Sequence, residues 1–147
     1  MVVNYSLFGI FACIGMLVNL AICFAFLSIM QATLTMPGIA GLVLTVCMSV
    51  DANILIFERI REELKDGRTP ISAIDNGFRI AFGTVTDSNL TALFASLILF
   101  SFGTGPIKGF AITTAIGVVA SFFTAISVVR LMVVYWIGKR RPTALPV

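Results

Sequence analysis

Two aspartates stand inside apolar sequence, each followed two residues later by an asparagine. The first lies in Thr45-Val-Cys-Met-Ser-Val-Asp51-Ala-Asn53-Ile-Leu-Ile-Phe57, the second in Gly83-Thr-Val-Thr-Asp87-Ser-Asn89-Leu-Thr-Ala-Leu-Phe94. A carboxylate at the centre of a membrane helix costs roughly 2.5–3.5 kcal/mol, so its presence calls for a task or a partner. A carboxylic acid withdrawn from water exchanges its proton nearer neutrality than one in water, which suits a proton or ion relay. The competing reading is structural: a carboxyl kept neutral or paired, which only holds helices together. That reading weighs more for Asp87, which is closer to Arg79 and has several hydroxyls beside it.

The elements that must position these groups are membrane helices. Of the 147 residues, 59% are hydrophobic and 12% charged, with a mean hydropathy of +1.05, far from the balance of a soluble domain. Four apolar runs cover about residues 7–30, 37–57, 80–102 and 110–137. At about 1.5 Å per residue each can cross a hydrocarbon core of roughly 30 Å. The predicted fold is an all-α membrane protein, a bundle of four transmembrane helices over 1–141, with a loop at 58–79 and a tail at 142–147. The first run lacks a basic n-region and a small-residue cleavage site, so it reads as a retained span.

Connections 31–36 and 103–108 share one basic residue, Lys108. The 58–79 loop holds Arg59, Arg61, Lys65, Arg68 and Arg79, and the end of the chain holds Lys139, Arg140 and Arg141. The positive-inside rule then puts the long loop and both termini in the cytoplasm. The loop should be helical on both sides of a break at Gly67, with Thr69-Pro70 restarting the chain as N-cap and N1. Its alternating Glu and Arg read as a solvated, self-paired face, with a docking surface for a cytoplasmic partner as the alternative.

Asp51 lies seven residues before Glu58, and Asp87 seven after Ile80, so each should sit about 10 Å inside the cytoplasmic end of its span. Thr84, Asp87 and Thr91 fall at i, i+3 and i+7, a polar stripe suited to a wet path. Asn53 and Asn89 are turned about 200° from the preceding aspartates. They are expected to bond a different neighbour and fix helix contacts, while the aspartates face the bundle interior. Arg130 either snorkels at the boundary, with Tyr135 and Trp136 as an interfacial belt, or pairs with an aspartate. Asn19 should bond to another helix.

Gly109, Thr113, Gly117, Ser121 and Ala125 recur every four residues, a small-residue seam for close helix packing, and Ile137 beyond it is expected to face lipid. Gly103-Thr-Gly-Pro-Ile-Lys108-Gly lacks phosphate-loop spacing and reads as a tight turn. Cys13, Cys23 and Cys47 show no disulfide or metal spacing, and the chain has no histidine, so neither a metal nor a cofactor is expected. No basic patch interleaved with aromatics suggests nucleic acid.

Two blocks carry a resemblance over nearly the whole chain: TLTMPGIAGLVLTVCMSVDANILIFERIREELKDGRTPISAID and GTVTDSNLTALFASLILFSFGTGPIKGFAITTAIGVVASFFTAISVVR. They resemble the C-terminal membrane region of the SecD/SecF protein-export family, within the RND superfamily. Val-Asp-Ala-Asn, Phe-Glu-Arg-Ile-Arg-Glu-Glu and Gly-Thr-Gly-Pro-x-Lys-Gly-Phe-Ala fit the SecD branch, whereas the SecF branch is expected to carry Val-Asp-Thr and Phe-Asp-Arg.

The resemblance implies that the four helices correspond to the last four of a six-helix RND-type half. The first two helices and a large extracytoplasmic domain would lie outside this sequence. It also implies that Asp51 matches the membrane aspartate linked to proton conduction and that Asp87 falls on a second Asp-x-Asn of less defined role. The implied setting is a non-enzymatic subunit of the bacterial inner membrane that couples the proton gradient to late preprotein translocation. Its implied partners are a SecF-like subunit, the SecYEG translocon and, optionally, YajC, with exported preproteins handled by a domain absent from this sequence. The alternatives are a piece of another RND-type exporter or a non-conducting membrane scaffold.

Overall fold

The structure, a computed structural model, describes residues 2–31 and 35–140. The expected tail at 142–147, Arg141 and part of the 31–36 connection lie outside the described residues. Helix α1 covers Val2–Ile29, α2 Met36–Lys65 and α3 Pro70–Phe102. Helix α4, Pro106–Phe123, runs through a π-helical segment, Thr124–Val129, into α5, Arg130–Arg140. Among the described residues, four helical stretches are long and apolar enough to cross a membrane: Leu7–Ile29, Met36–Lys65, Pro70–Phe102 and Pro106–Arg140.

Local chemistry explains the breaks. Thr35 caps α2 by accepting the Gly38 N–H on its hydroxyl at 3.3 Å, and Pro37 fills the first turn. After Lys65 the chain turns through Gly67 at φ +81°, a left-handed conformation open to glycine, and Pro70 starts α3. Arg68 Nε pairs with Glu63 at 2.7 Å and Asn76 Nδ2 donates to the same carboxylate at 3.4 Å, which ties the turn to both helices. Arg59 and Glu62 pair one turn apart at 2.6 Å on the exposed side of α2. At the opposite end of the bundle, Gly105 at φ +49° reverses the chain before Pro106.

Helix α2 is the hub and packs against α1, α3 and α4. Small residues set its distance from α4. A Cβ on Gly41 would stand 3.0 Å from Thr114 Oγ1, one on Gly109 2.7 Å from Thr35 Oγ1, and one on Gly117 would collide with Thr45. The two helices therefore run parallel at near-backbone contact, which needs side chains this small. Helix α3 returns antiparallel, with Gly77 against the backbone of Ile60. Phe8, Phe57 and Trp136 join α1, α2 and α5, with ring centroids 5.7 Å and 5.9 Å from Phe8.

The four-residue line continues past the seam through Ala125, Val129, Val133 and Ile137, all buried. A spacing of four drifts by about 40° per step on a helix of 3.6 residues per turn. The wider π turn absorbs part of that drift and keeps the line facing inward. Ile137 is consequently 7% exposed and packs inward, where lipid contact was expected. Outward faces carry large apolar residues such as Leu17, Phe94, Ile98 and Phe102, which suits a hydrocarbon surround.

Candidate functional site

Depth comes first. Gly77 abuts Ile60, which fixes the α2–α3 register. From that contact, nine residues back along α2 lead to Asp51 and ten forward along α3 lead to Asp87. These are axial distances of about 13 and 15 Å in the same direction, so the two carboxyl-bearing positions share a height within a residue's rise.

Facing is different from the expectation. Both aspartates are exposed, not interior. Asp51 is turned about 130° from the buried line Thr45–Ser49–Ala52–Ile56, and Asp87 about 150° from the line Ile74–Phe78–Ala81–Val85. Neither carboxylate has a hydrogen-bond or ion-pair partner among the described residues. The interior instead holds neutral polar groups. Asn53 and Asn89 are buried, yet each amide nitrogen donates to its own preceding turn, at 3.0 Å to Ser49 O and 2.8 Å to Val85 O. They do not bridge helices, contrary to expectation.

A buried cross-helix bond is made by Asn19, whose Nδ2 donates to Ser121 Oγ at 2.9 Å, joining α1 to α4. Thr45, Thr113 and Thr124 spend their hydroxyl protons on carbonyls four residues back. Ser49 Oγ, Asn53 Oδ1 and Thr114 Oγ1 are buried without a partner among the described residues. The bundle thus turns Asn53 and Asn89 inward and presents Asp51 and Asp87 outside. A carboxyl on the outer wall of a membrane bundle must meet a polar partner or water, since lipid tails solvate neither its charge nor its proton.

The α3 stripe is present as exposed Thr84, Asp87, Ser88 and Thr91. Its hydroxyls donate to the backbone: Ser88 to Thr84 O at 2.8 Å and Thr91 to Asp87 O at 2.9 Å. The stripe therefore surrounds the Asp87 carboxyl without holding it. Arg130 does not serve this site. Its Nη2 lies 3.4 Å from Asp75 Oδ1, and its guanidinium stands 5.8 Å from the Phe78 ring. Asp75 is twelve residues before Asp87, about 18 Å along α3, at the basic end of the bundle. Asp75 drew no attention in the sequence because it sits in a solvated segment. Cys47, one turn before Asp51, is exposed on the same side. Among the described residues no cluster of three or more His, Cys, Asp or Glu could hold a metal ion.

Fold and site together define a polytopic α-helical membrane module with two exposed acidic positions at matched depth, one on α2 and one on α3. The family described as "Protein export membrane protein SecD/SecF, C-terminal" matches residues 2–139. The chain belongs to that SecD/SecF family. It is 50% identical over 145 residues to protein translocase subunit SecD of Rhodobacter capsulatus, covering 99% of this chain and 26% of that protein. It is also 50% identical over 147 residues to the subunit of the same name from Magnetococcus marinus, covering 100% of this chain and 28% of that one. The crystal structure of SecDF, a translocon-associated membrane protein from Thermus thermophilus, superposes with a TM-score of 0.89 at 41% identity. That match covers 98% of this chain and 20% of that one. The chain thus spans about a quarter of the curated relatives it matches.

Proposed function

We propose that this chain is the membrane segment of a SecD-type subunit that couples a proton gradient to late steps of protein export through SecYEG, with Asp51 as the titrating group. The observation that carries the proposal is the placement of Asp51 and Asp87 at one depth, each on an outer face of the bundle that the chain's own helices leave open. A second membrane half, a SecF-like subunit, would cover the Asp51 face and supply polar groups opposite its carboxyl. Protonating Asp51 removes its charge and favours apolar contact. Deprotonating it favours a polar partner or water. Such a two-state contact can convert proton passage into relative movement of the halves.

Asp87 supports the same role, since its hydroxyl neighbours make its own face wet. The seam Gly109, Thr113, Gly117, Ser121 and Ala125 keeps α4 rigid against α2, so that Asp51 rides on a fixed platform. The role is one of transport without catalysis. The basic 58–79 segment and both ends of the chain would face the cytoplasm from the bacterial inner membrane. Exported preproteins, and YajC as an accessory subunit, would engage parts of the complex outside this region.

The test places Asp51→Asn and Asp51→Glu in a complete SecD-type subunit and follows export of a slow precursor in energised vesicles, with and without an uncoupler. Asparagine keeps size and hydrogen bonding but cannot cycle a proton, whereas glutamate can. The proposal expects the uncoupler-sensitive stimulation to vanish in the first and persist in part in the second, with both variants assembled. Full stimulation in Asp51→Asn leaves the scaffold reading in its place.

A further inference from the structure

A second polar feature lies at the basic end of the bundle, away from the aspartates. A cleft of about 230 Å³ opens between α3 and the π segment, with Arg79 and Arg130 at its rim and Phe82, Val85 and Ile126 among its walls. Arg130 is held on one side by a single 3.4 Å contact with Asp75, and both side chains of that pair are at least half exposed. Arg79 has no ion-pair partner among the described residues. The rim therefore carries two guanidiniums against one carboxylate.

Two further clefts follow deeper along α3 and α4. Past the Phe82–Phe122 ring pair, with centroids 5.7 Å apart, lies an apolar cleft of about 250 Å³ lined by Leu90, Leu93, Val118 and Val119. Leu93 and Val119 are shared with a third, wholly apolar groove of about 630 Å³ that reaches α1 at Ile22 and Phe26. From Arg79 to Leu90 is eleven residues, about 16 Å, close to half of a hydrocarbon core of roughly 30 Å. A cationic rim at one membrane boundary, above an apolar track one leaflet deep, has the shape and polarity of a phospholipid.

We infer that this crevice is a binding site for an anionic phospholipid. Its phosphate lies between Arg79 and Arg130, and one acyl chain runs down the α3–α4 track. Arginine suits the head group because its planar fork binds phosphate oxygens in pairs and is weakly hydrated. Asp75 orients Arg130 from the solvent side and leaves its remaining N–H groups for the lipid. Occupancy would brace the π segment against α3, where the structure otherwise leaves a gap.

The experiment is native mass spectrometry of the detergent-purified chain, titrated with phosphatidylglycerol or with phosphatidylcholine of the same acyl chains. A basic side chain near an anionic head group contributes about fivefold in affinity, so two contribute about 5- to 30-fold once Asp75 is counted. Wild type should prefer phosphatidylglycerol by that factor. The Arg79→Gln/Arg130→Gln pair should lose the preference, and the Arg59→Gln/Arg61→Gln pair, which removes equal charge elsewhere, should keep it. A phosphatidylglycerol with a photoreactive group in mid-chain should label the 82–93 segment. The inference is overturned if the preference survives in Arg79→Gln/Arg130→Gln. It is equally overturned if inorganic phosphate competes as well as the lipid, which would make this a free-anion site. Labelling confined to other segments would also sink it, because the crevice would then be closed to lipid.

Discussion

Replacing Gly77 by alanine isolates what close helix approach is worth in this bundle. The added Cβ would stand 2.9 Å from Ile60 N, 3.0 Å from Ile60 Cα and 2.5 Å from Ile60 Cγ1. The first two are backbone atoms, so no rotamer change relieves the contact, and α3 must move from α2 by about 0.5–1 Å to restore a normal separation of 3.5–4.0 Å. A gap of that size forfeits a quarter to a half of each neighbouring contact. The affected neighbours, Ile56, Phe57, Ile74 and Phe78, are all buried. Overpacking of this kind costs about 1–3 kcal/mol, offset by about 0.5–1 kcal/mol from alanine's better helix propensity. The net expectation is a destabilisation of about 0.5–2 kcal/mol. Gly83→Ala on the same helix is the control: nothing lies within 4 Å of its Cβ, so only the propensity gain applies. Unfolding in mixed micelles can be followed by fluorescence of Trp136, the single tryptophan, which packs edge-on to Phe8. If the two alanine variants unfold at the same denaturant fraction, the α2–α3 contact is not the constraint argued here.

Further outcomes follow from the same geometry. Gly67→Ala should cost about 1 kcal/mol through its φ of +81° alone, since no atom lies within 4 Å, and the same unfolding assay reads it. A double-mutant cycle on Asn19→Leu and Ser121→Ala should return a coupling of about 0.6 kcal/mol for the buried α1–α4 hydrogen bond, and zero coupling would remove it as a helix lock. In a cysteine-free background, Thr104→Cys should react with an impermeant thiol reagent on intact cells and Asp66→Cys only after permeabilisation, and the reverse pattern would invert the topology. Cys47 should form a disulfide with a suitably placed cysteine in a SecF-like partner. Cross-linking that depends instead on buried Cys23 would place the interface on the wrong wall.

The spans were legible in the sequence because apolar runs of this length have few other homes, and Gly67, Thr69 and Pro70 announce the break between α2 and α3. The depth of the aspartates was legible too, since helix rise converts residue counts into height. Their facing was misjudged. The expectation that membrane carboxyls point into a bundle takes the four helices as the whole bundle, and here α2 and α3 turn Asn53 and Asn89 inward instead. Phase could have shown it: Asp51 shares its side with Leu44, Cys47 and Leu55, opposite the Thr45–Ser49–Ala52–Ile56 line. The Arg130–Asp75 pair could not be read, because it joins residues 55 apart across two helices and depends on the phase shift of the π segment. That segment has no sequence mark of its own beyond a four-residue spacing kept longer than an α-helix can hold on one face.

Proton transfer through Asp51, as proposed, can be read without following export. Its most direct test is gradient-driven proton entry into proteoliposomes holding the complete export complex and a trapped pH-sensitive dye. Asp51→Asn should abolish the influx while Asp87→Asn lowers it by less, with both complexes assembled in equal amount. Wild-type influx through the Asp51→Asn complex would contradict the proposal.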